Sequence, residues 1–393
     1  MPDKILRVFV RFSGLVGVSL AFLLVSTASA TSTPAVTVNC NNGQSLNGTL
    51  ATLNKQTPHT VIVQGTCTEF VTVDGFEGLT LIGQSGATIQ QPATNPQNNS
   101  YVLSVTGARG LVVSGLTVNS LSSILSGIGI GKGSSQVQLQ NMNITGSWGV
   151  FVYEESQVWL VHVNVTISSG YAAIAAYDKS DVHIVGGLLQ RPSDGGFYAG
   201  VAVGSGHVTM QGTTIRDMQQ GINIGESGSV DLVDFDANEP VDVTIGNPSG
   251  TNQNGAIVSD GSSLNVATRL IIKNAGQTYG GNSGAVFVTN NSTLNAGANL
   301  IVSNSQGQGV IVTNNSHATL GGSSIINSLH GGLVAANLST IDIQSFTSLT
   351  VVGGNKPDLF CDANSFITGT ANLSGVPTAT CANQLTGNTV TLP

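Results

Sequence analysis

Residues 137–160, VQLQNMNITGSWGVFVYEESQVWL, contain the pattern that decides the fold. Val137 and Leu139 alternate with polar residues, a polar turn follows, and a second alternation begins at Gly149 with Gly-Val-Phe-Val. The first pattern returns at Val158, 21 residues after Val137. Such alternation is typical of strands that are covered on one face, and a repeat of about 20–45 residues favours a parallel β-solenoid with one coil per repeat.

The glycine-aliphatic-x-aliphatic phrase recurs along the chain, beginning at Gly127, Gly149, Gly200, Gly221, Gly309 and Gly332. The first apolar residue after each predicted turn gives an anchor from which the period can be counted. These anchors are Leu79, Leu111, Val137, Val158, Val182, Val208, Val230, Leu264, Leu294, Leu320 and Ile341. Their spacings are 32, 26, 21, 24, 26, 22, 34, 30, 26 and 21 residues, and the longer intervals indicate turns with insertions. We expect the anchors to stack in one interior column.

The residue after each anchor is expected to face solvent, because side chains alternate between the two faces of a strand. The outward positions are Gln138, Trp159, His183, Thr209, Asp231, Asn265, Asn295 and Asp342. The next residue along faces the interior in this prediction, at Leu139, Leu160, Ile184, Met210, Leu232, Val266 and Ile343.

Residues 1–30 have the three parts of an export signal. Three basic residues, Lys4, Arg7 and Arg11, precede an apolar run from Leu15 to Val25, and Ala28-Ser-Ala30 follows. The run of about eleven apolar residues is too short to span the roughly 30 Å hydrocarbon core of a membrane. We therefore expect cleavage after Ala30, no transmembrane segment in the mature chain, and a secreted or cell-surface location.

The composition excludes several classes of partner. The 12 Lys and Arg against 20 Asp and Glu give a formal charge of −8, and loss of the predicted signal, with three basic residues and Asp3, leaves about −10. Nucleic acid and anionic membranes are therefore poor partners for this chain. Only 8% of residues are charged and 50 are glycine, while 40% are hydrophobic. Together these favour many short strands with tight turns. We expect the chain to be a monomer.

The four cysteines lie as two close pairs, Cys40 with Cys67 and Cys361 with Cys381. Four cysteines allow three pairings, and an exported chain with this arrangement favours the two local disulfides. A zinc site would need shorter ligand spacing and nearby histidines. We predict a signal peptide over 1–30, an N-terminal cap over 31–78, a β-helix over 79–350 and a C-terminal cap over 351–393.

The N-terminal cap contains a predicted short amphipathic helix, which starts after Ser45 and presents Leu46, Leu50 and Leu53 on one face. Such a helix would cover the exposed strand edges at the first coil.

The repeated phrase and the one-coil spacing, over about two-thirds of the chain, resemble those of right-handed parallel β-helix proteins of the pectin lyase-like superfamily. The cysteine-containing ends, Val38-Asn-Cys40, Gln64-Gly-Thr-Cys67 and Pro357-Asp-Leu-Phe-Cys361, are similar to exported bacterial members of unassigned function. The resemblance implies an all-β, single-stranded, right-handed parallel β-helix with a helical N-terminal cap and disulfide-bonded ends. It implies little about chemistry, because one fold supports many functions.

Many members of that superfamily cleave or bind acidic polysaccharides, so their motifs can be sought here. Polygalacturonase-like sites use Asn-Thr-Asp, a paired Asp, His-Gly and Arg-x-Lys. This chain has no Asn-Thr-Asp and no Asp-Asp, and it offers only His330-Gly331 and a wrongly spaced Arg269 to Lys273. The arginines beyond residue 30 lie in no recognisable lyase motif; they are Arg109, Arg191, Arg216 and Arg269.

One turn position, four residues before the anchor, is rich in carboxylates. It holds Gly107, Gly133, Glu154, Asp178, Gly204, Glu226 and Asp260, with Asn290 and Asn337 further on. Glu154 and Asp178 fall on adjacent coils, so their backbones should lie about 5 Å apart, while Asp178 and Glu226 are two coils and about 10 Å apart. These separations bracket the carboxylate pairs of glycoside hydrolases. The alternative is a turn position that favours Gly, Asn and Asp for backbone reasons alone.

Aromatic and histidine side chains flank the same coils and offer a surface for sugar rings: Tyr153, Trp159, Tyr177 and His183. An acidic run also offers oxygen ligands for Ca²⁺, although its spacing differs from known calcium loops: Asp231, Asp234, Asp236 and Glu239. No other metal or cofactor is predicted.

The sequence thus predicts an exported β-helix scaffold without catalysis that binds polysaccharide or a cell-surface glycan along its flank. The alternative is a polysaccharide lyase or glycoside hydrolase that acts through Glu154, Asp178 and Glu226.

Overall fold

The structure, a computed structural model, describes residues 35–373 except 122–124, 192–197, 247–253, 276–283, 298, 345–348, 353–357, 363 and 370. The predicted signal peptide and Cys381 lie outside the described residues. Within them, the chain winds repeatedly through three parallel sheets in the order sheet 1, sheet 2, sheet 3. The fold is therefore the all-β parallel solenoid that the repeat predicts.

Sheet 1 contains fourteen described strands: Val36–Asn39, His59–Gln64, Leu79–Gly83, Val112–Ser114, Val137–Gln140, Gln157–Val161, Asp181–Val185, His207–Gln211, Ser229–Leu232, Ser263–Val266, Thr293–Ala296, His317–Leu320, Thr340–Ile343 and Phe366–Gly369. Sheet 2 contains thirteen: Thr66–Thr68, Thr88–Gln90, Thr117–Asn119, Asn143–Gly146, Asn164–Ile167, Leu188–Gln190, Thr214–Arg216, Val243–Gly246, Leu270–Lys273, Leu300–Ser303, Ser324–Ile326, Leu349–Val352 and Ala371–Leu373. Sheet 3 contains twelve: Val71–Asp74, Tyr101–Thr106, Ser126–Gly131, Val150–Val152, Ala172–Tyr177, Ala199–Gly204, Gln220–Gly225, Asn254–Val258, Gly284–Val288, Gln308–Val312, Leu333–Ala335 and Leu359–Cys361.

The interior is a set of aliphatic columns that run from coil to coil. Val137 pairs with Val158, Val158 with Val182, and the predicted anchors from Leu79 to Leu294 stack in the same way. These side chains are essentially inaccessible to solvent. Because a single coil cannot cover its own apolar residues without the coils above and below it, the stacking is central to the stability of the fold.

One predicted anchor is wrong. Leu294 pairs with Ala318 rather than with Leu320, and Ala318 in turn pairs with Ile341. Leu320 stacks instead between Ala296 and Ile343, in the second interior column of sheet 1. Ala318 has a small side chain, so the hydrophobic pattern does not single it out. The prediction therefore took Leu320, the next large aliphatic residue, as the anchor.

The turn from sheet 3 to sheet 1 repeats the same left-handed conformation on successive coils. Residues at this position have φ values between 51° and 57° and stack in the order Lys132, Glu154, Asp178, Ser205, Glu226, Asp260, Asn290, Asn314 and Asn337. The prediction had placed Gly133 and Gly204 in this column, and both are one residue out of register. Lys132 and Ser205 hold this position on those coils, and Gly133 is the second left-handed residue of its turn, with φ 65°.

Side-chain ladders hold these turns together. Asn337 Nδ2 donates to Asn314 Oδ1 at 3.1 Å, and Asn314 Nδ2 donates to Asn290 Oδ1 at 3.1 Å. A buried serine follows the turn on many coils, and its hydroxyl accepts the backbone N–H of the serine one coil earlier. Such pairs include Ser134–Ser156, Ser262–Ser292, Ser292–Ser316, Ser316–Ser339 and Ser339–Ser365. The turns therefore satisfy polar groups that coil stacking would otherwise bury without partners.

The N-terminal end is closed by one short helix and a disulfide. A 3₁₀ helix, Cys40–Asn42, precedes the α-helix Leu46–Thr52, whose Leu46 and Leu50 are buried in the core. Ser45 caps the helix by accepting the Gly48 N–H, as the sequence predicts. The predicted Cys40–Cys67 disulfide is confirmed. The N-terminal cap is not a layer separate from the solenoid, because the first strand of sheet 1, Val36–Asn39, already lies within the predicted cap.

At the other end, parallel pairing continues to Ala371–Leu373, beyond the start of the predicted C-terminal cap. Cys361 is disulfide-bonded, and its predicted partner Cys381 lies outside the described residues. The predicted domain boundaries remain predictions. Of the helices in the described ranges, none has the length and apolar character needed to cross a bilayer.

Glu69 joins the helix to the first coil, because its carboxylate accepts the hydroxyl of Ser45 at 2.7 Å and the N–H groups of Leu46 at 2.7 Å and Asn47 at 3.1 Å. Glu69→Ala should destabilise the cap by about 1–3 kcal/mol, since it leaves helix N–H groups without an acceptor. Hydrogen exchange of residues 46–52 measures this directly, with Glu77→Ala, an exposed glutamate nearby, as the control. Unchanged protection in Glu69→Ala would contradict the assignment.

Candidate ligand-binding face

Six aromatic rings form one connected cluster on the outer face of sheet 3. Phe151 lies at its centre, 5.2 Å from Tyr153 and 5.5 Å from Tyr177 between ring centroids. Trp148 meets Phe151 at 5.3 Å and Tyr171 at 5.6 Å, while Tyr101 stacks on Phe151 and Tyr153 at 6.4 and 6.2 Å. We call this set the aromatic face: Tyr101, Trp148, Phe151, Tyr153, Tyr171 and Tyr177.

Glycine and alanine residues on neighbouring strands allow the rings to lie against the sheet. A Cβ on Gly129 would lie 2.5 Å from the ring of Tyr101, one on Gly131 would lie 2.5 Å from that of Tyr153, and one on Gly204 would lie 2.5 Å from that of Tyr177. Four alanines beneath the rings form a small buried cluster of their own: Ala172, Ala175, Ala199 and Ala202. The small residues of the repeated phrase therefore create the space that the rings occupy.

Two clefts border the aromatic face. The first, of about 400 Å³, lies where Tyr101, Trp148 and Phe151 meet the polar loop around Asn95 and Asn99. The second, of about 210 Å³, is lined by Tyr171, Tyr177, Asn223, Glu226 and Asp260 among others. Flat apolar surfaces beside polar side chains are suited to sugar rings, which present apolar faces and hydroxyl edges.

The predicted acidic residues divide between two places. Glu154 and Asp178 line a third cleft, of about 550 Å³, with Lys132, Lys179 and Ser205. The carboxylate of Glu154 accepts the backbone N–H of Lys132 at 3.0 Å. Glu226, in contrast, belongs to the second cleft beside Tyr177. The three carboxylates therefore do not form a single site.

The charged residues in this turn column are unusual for their backbone conformation. Asn and Gly adopt the left-handed region with little strain, whereas most other residues lose about 1–2 kcal/mol there. The distal coils use asparagine, at Asn290, Asn314 and Asn337, while Lys132 and Glu226 occupy the same conformation on the coils beside the aromatic face. The charged side chains thus lie where the backbone would favour asparagine, so the backbone conformation does not explain the choice of these residues.

Trp159 and His183 lie on sheet 1, on the far side of the acidic turn from Tyr153 and Tyr177. Their rings stack at 4.1 Å on adjacent coils. The sequence grouped these four residues because they follow one another closely along the chain. The structure brings Tyr153 and Tyr177 into the aromatic face and leaves Trp159 and His183 outside it.

A network of histidine and aspartate side chains extends from His183 along sheet 1. His207 bonds the carboxylates of Asp181, at 2.9 Å, and Asp231, at 3.1 Å. His183 bonds Asp181 at 3.1 Å and the hydroxyl of Thr209 at 2.5 Å. These hydrogen bonds link strands of three successive coils and are a structural feature of the sheet 1 surface.

The network shifts the titration of its members. A hydrogen bond to Asp181, and a second and smaller effect from the hydrogen bond to Asp231, raise the pKa of His207 to about 9. Hydrogen bonds from His183 and His207 lower the pKa of Asp181, and a hydrogen bond from His207 lowers the pKa of Asp231. On sheet 3, burial and the neighbouring Tyr171 and Glu226 raise the pKa of Tyr177 to about 12. Tyr177 therefore carries its proton, and its hydroxyl can donate a hydrogen bond, at any physiological pH.

The carboxylates of the acidic run considered for Ca²⁺ bond protein groups. Asp231 bonds His207 at 3.1 Å, Asp234 accepts from Gln211 Nε2 at 3.3 Å, and Asp236 accepts the Asn238 N–H at 3.0 Å. Glu239 bonds His162 at 3.0 Å. Within the described part of the chain, the one close group of metal-type ligands is Cys40, Cys67 and Glu69, and its two sulfurs are bonded to each other.

Four members of the aromatic face were not identified from the sequence: Tyr101, Trp148, Phe151 and Tyr171. A signal for Phe151 was present, since it occupies the outward position of Gly149-Val-Phe-Val. Tyr101 is 50 residues away in sequence, and only coil stacking brings it to the same surface.

Comparisons with known proteins give little further information. No protein-family model matches the chain, and no curated protein sequence matches it. Among solved structures, the crystal structure of a GH136 lacto-N-biosidase from Eubacterium ramulus is similar over 87% of this chain and 68% of that one, with 9% sequence identity and a TM-score of 0.33.

The raised pKa of His207 predicts a pH-dependent contribution to stability. Since protonated His207 is favoured in the folded state, its stabilisation is complete below about pH 6.5 and is lost as pH rises through about 9. The lowered pKa values of Asp181 and Asp231 act in the opposite sense, because their contribution is lost below about pH 4. The difference in melting temperature between the wild type and His207→Gln should be largest from about pH 4 to 6.5 and vanish above about pH 9.

His317→Gln is the matched control, because the His317 ring contacts only the hydroxyls of Thr319 and Thr340 among described residues. The same pH profile in both variants would contradict the role of the aspartates.

Proposed function

We propose that this protein is an exported, monomeric β-solenoid scaffold that binds glycans on the aromatic face without cleaving them. The observation that carries the proposal is the connected cluster of six rings, seated over glycine and alanine, between two polar clefts. Soluble proteins place few aromatic rings together on an outer surface unless that surface binds something.

The chemistry of the face suits carbohydrate. Ring faces stack against the C–H surfaces of sugars, and the neighbouring asparagine, tyrosine and carboxylate groups bond hydroxyls. The rings come from three of four successive coils, which are about 4.8 Å apart, because the coil of Ser126–Gly131 contributes no ring. A glycan that runs along the solenoid axis would therefore meet rings from more than one coil.

The absence of catalysis is supported by how the acidic residues are used. Glu154 is hydrogen-bonded to the backbone of the preceding coil, which keeps it in a structural role. None of the four arginines beyond residue 30 lines any of the three clefts described above. A lyase of the type considered from the sequence would need such an arginine beside its substrate.

The location follows from the disulfide and from the resemblance. Cys40–Cys67 points to an oxidising, extracytoplasmic compartment. We propose that residues 1–30 direct export, that the solenoid is right-handed, and that the chain is a member of the pectin lyase-like superfamily whose ligand is a polysaccharide or cell-surface glycan.

Phe151→Ala should weaken glycan binding at least about tenfold, or about 1.4 kcal/mol, because it removes the central ring of the aromatic face. The dissociation constant of the mature protein would be measured against a panel of neutral, acidic and amino-sugar oligosaccharides by calorimetry. Trp159→Ala removes a ring from sheet 1 and is the matched control, which should bind as the wild type does. An equal loss of affinity in both variants, or no loss in Phe151→Ala, would refute the placement of the glycan-binding site on the aromatic face.

A second candidate function is hydrolysis or lyase cleavage of a polysaccharide. Glu154 and Asp178 occupy stacked turns on adjacent coils and share the 550 Å³ cleft. Their backbones lie about one coil spacing apart, close to the roughly 5–5.5 Å between the carboxyl groups of retaining glycosidases. Glu226 would take part only through the neighbouring cleft beside Tyr177.

Asp178→Asn separates the two candidates. If the protein only binds glycans, incubation with acidic and neutral polysaccharides, with and without Ca²⁺, yields no new reducing ends and no unsaturated products. If it is an enzyme, products appear and Asp178→Asn abolishes them. Glu155→Gln, in the same cleft with its side chain 73% exposed, controls for general loss of negative charge and should leave any such activity intact.

A further inference from the structure

The second cleft, of about 210 Å³ at one end of the aromatic face, is rich in hydrogen-bond acceptors. Its polar side chains include the carboxylates of Glu226 and Asp260 and the amide of Asn223, beside the rings of Tyr171 and Tyr177. Asn223 already donates to the Tyr171 hydroxyl at 2.9 Å. Neither lysine nor arginine lines this cleft, in contrast to the neighbouring one with Lys132 and Lys179.

The carboxylates of Glu226 and Asp260 differ in their hydrogen bonds to the protein. Asp260 accepts from Asn290 Nδ2 at 2.9 Å and from the Ser259 hydroxyl at 3.2 Å. Glu226 has no hydrogen bond or ion pair with any of the residues that the structure describes. Its carboxylate reaches over Gly204, where a Cβ would lie 3.0 Å from Oε2 and 2.5 Å from the Tyr177 ring. The unpaired carboxylate and the ring therefore border the same space.

An ammonium group suits this combination better than any other part of a sugar. It carries three N–H donors, it pairs with carboxylates through charge-assisted hydrogen bonds, and it is attracted to the faces of aromatic rings. A uronate would bring a third negative charge to two unneutralised carboxylates, at a Coulomb cost that falls with added salt. The formal charge of −8 on the whole chain acts in the same direction.

We propose that the cleft between Tyr171, Tyr177, Glu226 and Asp260 binds the ammonium of an N-deacetylated hexosamine, so that the glycan ligand is cationic. This inference rests on the proposed glycan-binding function and specifies its ligand class. It departs from the acidic polysaccharides that the resemblance to pectin lyase-like proteins would suggest.

The test compares three probes of equal length by calorimetry: the glucosamine hexamer, the N-acetylglucosamine hexamer and oligogalacturonate. The glucosamine hexamer should bind at least about tenfold more tightly than the other two at low salt, and this preference should shrink at high salt because it is electrostatic. Glu226→Gln should remove the preference, so that the glucosamine hexamer binds no more tightly than the N-acetylated hexamer. Glu155→Gln, in the neighbouring cleft, should keep it.

The outcomes separate this inference from the function on which it rests. Equal binding of the two hexosamine oligomers, weakened by Phe151→Ala, would overturn the cationic ligand and leave glycan binding intact. Tightest binding of oligogalacturonate would also overturn it. If no probe binds, the inference and the proposed function both fail. The melting temperature of Glu226→Gln confirms that the turn is folded, and Asp260→Asn provides a second variant should Glu226→Gln unfold.

Discussion

The register in which each coil lies on the next is the constraint on which the rest of the molecule depends. Every strand has one face in the interior, and that face packs against the other two sheets and on the same column of the adjacent coils. A slip of one residue would move the whole apolar set of a strand to solvent. The aliphatic columns therefore fix the register, and the register in turn fixes which outward side chains become neighbours. The aromatic face and the histidine–aspartate network are both products of that alignment.

The turn from sheet 3 to sheet 1 has a structural and a chemical part. Its left-handed residues and serine ladder let the chain change direction on successive coils while the serine hydroxyls accept buried backbone N–H groups. Towards the C-terminal end the turn is made by asparagines that bond one another. On the coils next to the aromatic face it carries charged residues, so acidic groups and rings share one corner of the solenoid. A functional site can thus occupy a few coils while the rest of the repeat remains structural.

The sequence predicted the solenoid well, because strict alternation is a local signal that each coil repeats. It misplaced the anchor at Leu320 because Ala318 is too small to stand out, and it shifted the turn column by one at Gly133 and Gly204. The site was harder to predict, since it depends on coil lengths. Tyr101 reaches Phe151 only after two coils of unequal length, whereas Trp159, close to Tyr153 in sequence, is separated from it by a change of sheet. The local sequence pattern predicts on which face of a strand a side chain lies. Its neighbours on other coils can be identified only from the way the coils stack.

The glycines beneath Tyr101, Tyr153 and Tyr177 have a consequence for affinity. Each ring rests on backbone where a methyl group has no room, so its orientation is set by the sheet before any ligand arrives. Side chains that are already immobile lose little rotational entropy on complex formation. A preorganised surface of this kind can hold a flexible polymer through several weak contacts, because most of the ordering cost then falls on the polymer alone.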